Sequence, residues 1–244
     1  MKKKKFKILL INLSYCIGVN GFFWQYIAKF HRYIFLPKIV ERRILQKLKD
    51  IIAKENPDMI CLVEIKKGKQ IKALIDEEYS FYDVKTKYGE RSFLRKTPFF
   101  YNKGNAFIAK EDFLFKLHYL KSGTKKLVYE IILPNKVSLL LAHFSLNKRA
   151  RKKQFEAIGK LDLENKKKII CGDFNIFKGF TELEALLEKS DLKIIDSSPT
   201  FPAYKPSKFL DLFLCTKSIQ AKVRVLDDQI SDHLPAILEI PLEK

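Results

Sequence analysis

The run Ile169-Ile170-Cys171-Gly172-Asp173-Phe174-Asn175, entered through three lysines, limits what this chain can build more than any other stretch. Its apolar part is too short for a helix, and Gly172 marks its end, so it reads as a buried strand. The strand ends by presenting one carboxylate and one amide. Asp173 and Asn175 lie two apart, so on an extended backbone both point to the same side. A carboxylate can hold a metal or take a proton from water. A neighbouring amide can donate to a phosphate oxygen without repelling it. A plain strand followed by an Asx-type turn explains the same residues without chemistry, so the rest of the chain has to decide.

The same arrangement recurs. Phe6 to Ser14 reads as a first strand with Asn12 near its end. Asp58 to Val63 reads as a buried strand that delivers Glu64 at its exit, and Val137 to Phe144 as one that delivers His143. Phe209 to Leu214 carries Asp211 among apolar neighbours, where a lone carboxylate needs a partner such as a histidine. Ser231-Asp232-His233-Leu234-Pro235 precedes a last strand, Ala236 to Ile240. Further strands are expected at Tyr79–Lys85, Gly104–Ala109, Leu114–Leu120, Leu127–Leu133, Leu192–Asp196 and Val223–Leu226, with Pro134-Asn135 as a hairpin turn. Helices are expected at Ile39–Lys54, on a Val40, Ile44, Leu48, Ile51 stripe, and at Lys69–Asp76 and Asn147–Asn165. Thr181-Glu-Leu-Glu184 reads as a capping box opening a helix to about Lys189. Helices feeding buried strands point to a layered α/β fold.

With 244 residues, 47% of them hydrophobic, the chain suffices for one domain with a substantial core. Its formal net charge of +19 favours anionic partners: nucleic acid, an anionic membrane or phosphorylated substrates. Only 8 of the 47 basic residues are arginine, so the charge speaks for phosphate attraction rather than base reading. The four cysteines, Cys16, Cys61, Cys171 and Cys215, sit in apolar runs without metal-ligand spacing and read as buried free thiols of a reducing compartment. Met1-Lys-Lys-Lys-Lys resembles a signal n-region, but the apolar run after it is short and broken by Asn12. A cytoplasmic location is therefore expected. Residues 18–37 stand out as an aromatic, basic helical insertion. Phe23, Ile27, Phe30 and Ile34 fall at helical spacing, with Gln25, Lys29 and Arg32 on another face. Such a helix can lie at an anionic membrane surface through 21–37, stack bases, or pack on the domain's own sheet.

No H-E-x-x-H, G-x-S-x-G or G-x-x-x-x-G-K-[ST] pattern is present, which removes the zinc-protease, α/β-hydrolase and P-loop readings. Six motifs in order closely resemble the endonuclease/exonuclease/phosphatase superfamily, also called the DNase I-like fold. They are Ile11-Asn12, Pro57 to Glu64 (with Val63 in place of a usual Gln), Gly104-Asn-Ala-Phe-Ile, and Ala142-His143-Phe144 followed by Arg151-x-x-Gln154. Gly172-Asp-Phe-Asn175 with Leu210-Asp211, and Ser231-Asp-His-Leu-Pro235, complete the set. The resemblance implies a four-layer αββα sandwich, two mixed β-sheets packed face to face with helices outside. It implies Mg²⁺, with Mn²⁺ able to substitute, held by Glu64 with Asn12 and Asp232 close by. Asp173 would orient or deprotonate the attacking water and Asn175 would hold a phosphate oxygen. His233, oriented by Asp211, would hydrogen-bond the phosphoryl group, and His143 would stabilise the phosphorane or protonate the leaving oxygen. Asn105 and Arg151 would contact substrate.

The implied activity is a Mg²⁺-dependent phosphodiesterase, first of all a nuclease of low sequence specificity. The alternatives are a phospholipid or phosphoinositide hydrolase docking through 21–37, and a non-catalytic module on the same fold. No protein partner is inferred.

Overall fold

Apolar runs of about six residues pair into two sheets rather than one, because helices cover only one face of each. The computed structural model describes residues 5–242, so the lysine-rich start at 1–4 lies outside the described residues. Its strands are β1 (Lys5–Asn12), β2 (Met59–Lys66), β3 (Phe81–Thr86), β4 (Lys103–Ala109), β5 (Phe115–Tyr119) and β6 (Leu127–Leu133). They continue as β7 (Val137–His143), β8 (Lys167–Asp173), β9 (Leu192–Ile194), β10 (Asp211–Thr216), β11 (Lys222–Val225) and β12 (Ala236–Pro241). One six-stranded sheet has the order β11-β12-β1-β2-β4-β3, and the other β5-β6-β7-β8-β10-β9. Each sheet is mixed, and its parallel pair is central: β1 with β2 in the first, β7 with β8 in the second.

Strand alternation sends successive side chains to opposite faces, and three cores result. Ile8, Leu10, Cys61 and Phe107 of the first sheet meet Leu139, Leu141, Ile169 and Phe213 of the second between the sheets. Leu9, Ile11, Ile60 and Leu62 face outward, against Ile44, Leu48, Ile51 and Ile52. These last belong to helix α2, which follows the short helix α1 (Phe23–Ala28) and spans Lys38–Glu55. Asn56, in the left-handed region at φ 48°, ends α2 before Pro57. On the far side, Leu140, Ile170 and Leu212 pack against Phe155 and Ile158. After α3 (Lys69–Lys72) comes the helix that carries them, α4 (Lys148–Ile158), and then α5 (Glu184–Glu188). Each side chain so buried contributes about 1.5–3 kcal/mol. The expected four-layer sandwich is what forms.

Several local expectations are corrected. The insertion is not one amphipathic helix: α1 gives way after Ala28 to a 3₁₀ turn at Phe30–Tyr33. The aromatic residues of that segment contact the site and solvent instead of forming one helical stripe. Helix α4 ends at Ile158, because Leu161 and Leu163 pack onto the outer core beyond Gly159. The expected helix at Lys69–Asp76 closes after one turn. No capping box forms at Thr181: the chain takes a 3₁₀ turn at Phe180–Leu183, and α5 has no side-chain cap. Glu64 does not end its strand. β2 continues to Lys66 across a bulge between Leu62 and Ile65, and Glu64 itself sits at φ 55°.

Candidate active site

The parallel pairs place four strand ends on one rim. Asn12 closes β1, His143 closes β7 and Asp173 closes β8 beside it, in register. Asp211, the first residue of antiparallel β10, pairs with Asp173. Glu64 reaches the same rim through its bulge, which turns a side chain out of the alternating pattern. The left-handed conformation costs an ordinary residue about 1–3 kcal/mol and tends to persist where function selects it. The loop before β12 adds Asp232 and His233. Together they line a cavity of about 490 Å³ that also takes in Asn175. Of the residues expected at the site, Asn12, Glu64, His143, Asp173, Asn175, Asp232 and His233 line this cavity.

Three expected residues do not. Asp211 lies behind His233, 1% exposed, with Oδ2 at 2.6 Å from His233 Nδ1 and also accepting from Thr200 Oγ1 at 2.6 Å. Asn105 is buried behind Glu64, where its Oδ1 accepts from the Glu64 backbone N–H at 3.4 Å. Arg151, expected to contact substrate, does not line the cavity: its guanidinium donates to the carbonyls of Ser145 and Leu146 and pairs with Glu182, so it ties loops together. Asn175 also departs from the extended geometry expected for it. At φ 53° it turns back, its N–H donating to Asp173 Oδ1 and its Nδ2 to the Phe144 carbonyl.

The sheets are joined by a chain of polar contacts. Asn12 Nδ2 donates to Asp173 Oδ2 at 3.0 Å, and His143 Nε2 lies 3.3 Å from the same oxygen. Lys125 Nζ contacts the same His143 Nε2, while Nδ1 is buried without a partner, 3.9 Å from Glu64 Oε1. Burial and the nearby Lys125 lower the His143 pKa to about 4, so the ring is neutral at pH 7. A neutral imidazole can still donate one hydrogen bond to a phosphoryl oxygen. Burial disfavours charge on His233 too, but Asp211 beside it, with Asp232 and Asp173, outweighs burial and raises its pKa to about 10. His233 is therefore a cation whose Nε2 is left for a ligand. Burial would raise the Asp173 and Glu64 carboxyls, yet His143 and Lys125 around the first and Lys87 beside the second hold both below the usual range.

Sequence reasoning missed several neighbours. Ser14 Oγ and Tyr26 OH, the latter at 2.5 Å, occupy the two oxygens of Asp232. Tyr15 OH and Lys87 Nζ reach Glu64 Oε1 at 3.3 and 3.0 Å. Tyr15 gets there because Ser14, Tyr15 and Cys16 all adopt positive φ. Lysines 87, 103 and 125 line the cavity, and nothing in a chain so rich in lysine marks them. No hydrogen bond among the described residues reaches Glu64 Oε2. Nor do three His, Cys, Asp or Glu side chains there converge as a ready metal cage. A free carboxylate oxygen beside further ionised carboxylates fits a hard cation that keeps most of its waters, as Mg²⁺ does. Glu64 is the residue that would hold it; Asn12 and Asp232 line the same cavity with their side chains already engaged by Asp173, Ser14 and Tyr26.

A model of the Endonuclease/Exonuclease/phosphatase family matches residues 44–233. No curated protein sequence matches the chain. Among solved structures, an endonuclease/exonuclease/phosphatase from Beutenbergia cavernae superposes with a TM-score of 0.71 at 15% identity, over 98% of this chain and 72% of that one. Sphingomyelinase C from Streptomyces griseocarneus gives 0.66 at 15%, over 97% and 99%. A humanized D. rerio TDP2 gives 0.66 at 12%, over 98% and 99%. At such identities these likenesses show the fold.

Proposed function

The chain belongs to the Endonuclease/Exonuclease/phosphatase family, whose members are metal-dependent phosphoric ester hydrolases, and from that premise we propose that it hydrolyses phosphodiesters in the cavity at the sheet rims. One observation carries the reading: ionised Asp173, fixed by Asn12 from the other sheet, faces the same cavity as the imidazolium of His233. Asp173 accepts a hydrogen bond from water and aims it at phosphorus. His233, with Asp211 on Nδ1, donates through Nε2 to a phosphoryl oxygen and meets the charge that grows there. His143 Nδ1 and the second N–H of the Asn175 amide are further donors to the same group. A divalent cation on Glu64, Mg²⁺ in our reading, would neutralise developing negative charge when bound.

For the substrate, nucleic acid cut with little sequence specificity is the first reading. Lys148, Arg149, Lys152 and Lys153 are exposed at the start of α4, and Leu146, just before them, lines the cavity. A second reading, a lipid phosphodiester at an anionic membrane, has its own observation. Phe23, Trp24, Ile27, Ile34 and Phe35 are all more than half exposed, while Tyr26 and Tyr33 of the same segment line the cavity. Plasmid DNA, RNA and anionic phospholipid vesicles, assayed with Phe23→Asp/Trp24→Asp beside the parent, separate the two. Plasmid nicking untouched by the double variant is expected for the nuclease. Vesicle turnover lost with vesicle binding, at intact hydrolysis of a soluble diester, would transfer the function to lipid.

A further inference from the structure

Lys103 opens β4 at the edge of the cavity, and only 4% of it is exposed. Its ammonium forms no ion pair and no side-chain hydrogen bond among the described residues. Instead it stands 3.7 Å from the centre of the Phe99 ring, 5.0 Å from Tyr15, 5.3 Å from Phe100 and 5.5 Å from Tyr33. These rings come from three separate segments: the turn after β1, the 18–37 insertion and the loop before β4. Aromatic faces attract a cation without neutralising it. A buried ammonium held this way has no anion in contact, only the charge of Glu64 farther off, and an unpaired buried charge is costly until it finds a partner. Burial, with Lys87 and Lys66 nearby, lowers its pKa to about 8, which still leaves it charged at neutral pH.

Lys87 lies 5.1 Å from the same Tyr15 ring and 3.0 Å from Glu64 Oε1, so the cage adjoins the reaction centre. Lys125 is the third cavity lysine, and His233 adds another positive charge. From this placement we infer that Lys103 is the heart of a second anion subsite, and that the substrate carries a further phosphate beside the scissile one. This rests on the phosphodiesterase reading. It holds for a neighbouring nucleotide phosphate and for a phosphorylated lipid head group alike, since both present the same anion. It rejects a quaternary-ammonium head group, because the cage that would attract such a group is already filled by the chain's own cation. Lys87 and Lys125 would repel it as well.

Competitive inhibition of bis(p-nitrophenyl) phosphate hydrolysis tests the subsite with matched pairs. One pair is adenosine 5′-monophosphate and adenosine 3′,5′-bisphosphate; the other is inositol 1-phosphate and inositol 1,4-bisphosphate. In the parent protein the bisphosphate of at least one pair should bind 10-fold or more tightly than its monophosphate, and that pair names the source of the second phosphate. Phosphocholine should bind more weakly than either monophosphate. Lys103→Met should bring the ratio close to one, and Lys103→Arg should restore it. Equal binding within both pairs, preferred binding of phosphocholine, or an unchanged ratio in a folded Lys103→Met would overturn the inference. A ratio that survives while the melting point drops would make the cage a purely structural clasp. Should the parent not turn over the diester, the hydrolase reading fails rather than the subsite, and calorimetry with the same pairs reads the ratio directly. The parent comparison needs no variant to fold.

Discussion

Single residues divide into those whose role follows from type and position and those whose role depends on a partner far away in sequence. Asp211 belongs to the second kind. Its Oδ2 accepts from both Thr200 Oγ1 and His233 Nδ1, and all three groups are buried. Asp211→Ala would strand both donors, and losing one partner of a buried charged pair costs about 3–5 kcal/mol. Chemical denaturation should register a loss of that order, and turnover should fall because the His233 ring loses its orientation. Asp211→Asn keeps the shape but not the charge, so it should recover much of the stability and little of the activity. Full activity in the folded Asn variant would break the assigned pairing. An apolar run with one carboxylate in it announced this need for a partner from sequence alone. The opposite was true of Lys87, Lys103 and Lys125: what sets them apart is the rings and carboxylates around them, which no local pattern records.

At the scale of elements, the strands were legible as short apolar runs, buried along nearly their whole length at the centres of the sheets, and Asn12, His143 and Asp173 close theirs as expected, whereas Glu64 sits on a bulge inside β2. Gly172 shows how firm that frame is. It sits at φ 138°, and a Cβ there would come within 1.7 Å of the Ala142 carbonyl oxygen on the neighbouring parallel strand. Gly172→Ala should therefore cost more than about 3 kcal/mol or abolish folding, as a backbone clash in a central strand does. Gly159→Ala, where the nearest atom is the Leu186 side chain at 3.3 Å, should do far less. Comparable melting points for the two would mean that β7 and β8 are not clamped as described. The insertion was the least legible element. Helical spacing of Phe23, Ile27, Phe30 and Ile34 suggested one helix. The structure instead spends Tyr26 on Asp232 and Tyr33 on the Lys103 cage, contacts that periodicity cannot foresee.

For the whole molecule, the order of motifs carried more information than any one of them, since two sheets packed face to face bring six distant segments to one rim. The +19 charge acts at this scale as well. It favours encounter with any polyanion, whereas the cavity lysines and His233 act only on what enters. Metal-dependent hydrolysis of bis(p-nitrophenyl) phosphate by the parent and by Glu64→Gln tests the central claim most directly, because this substrate needs neither the exposed face of the insertion nor the surface charge. We expect turnover that requires a divalent cation and drops by about two to three orders of magnitude in the Gln variant, the scale on which such electrostatic groups act, with folding retained. Turnover that survives Glu64→Gln at saturating Mg²⁺, or that persists in a chelator, would contradict the account.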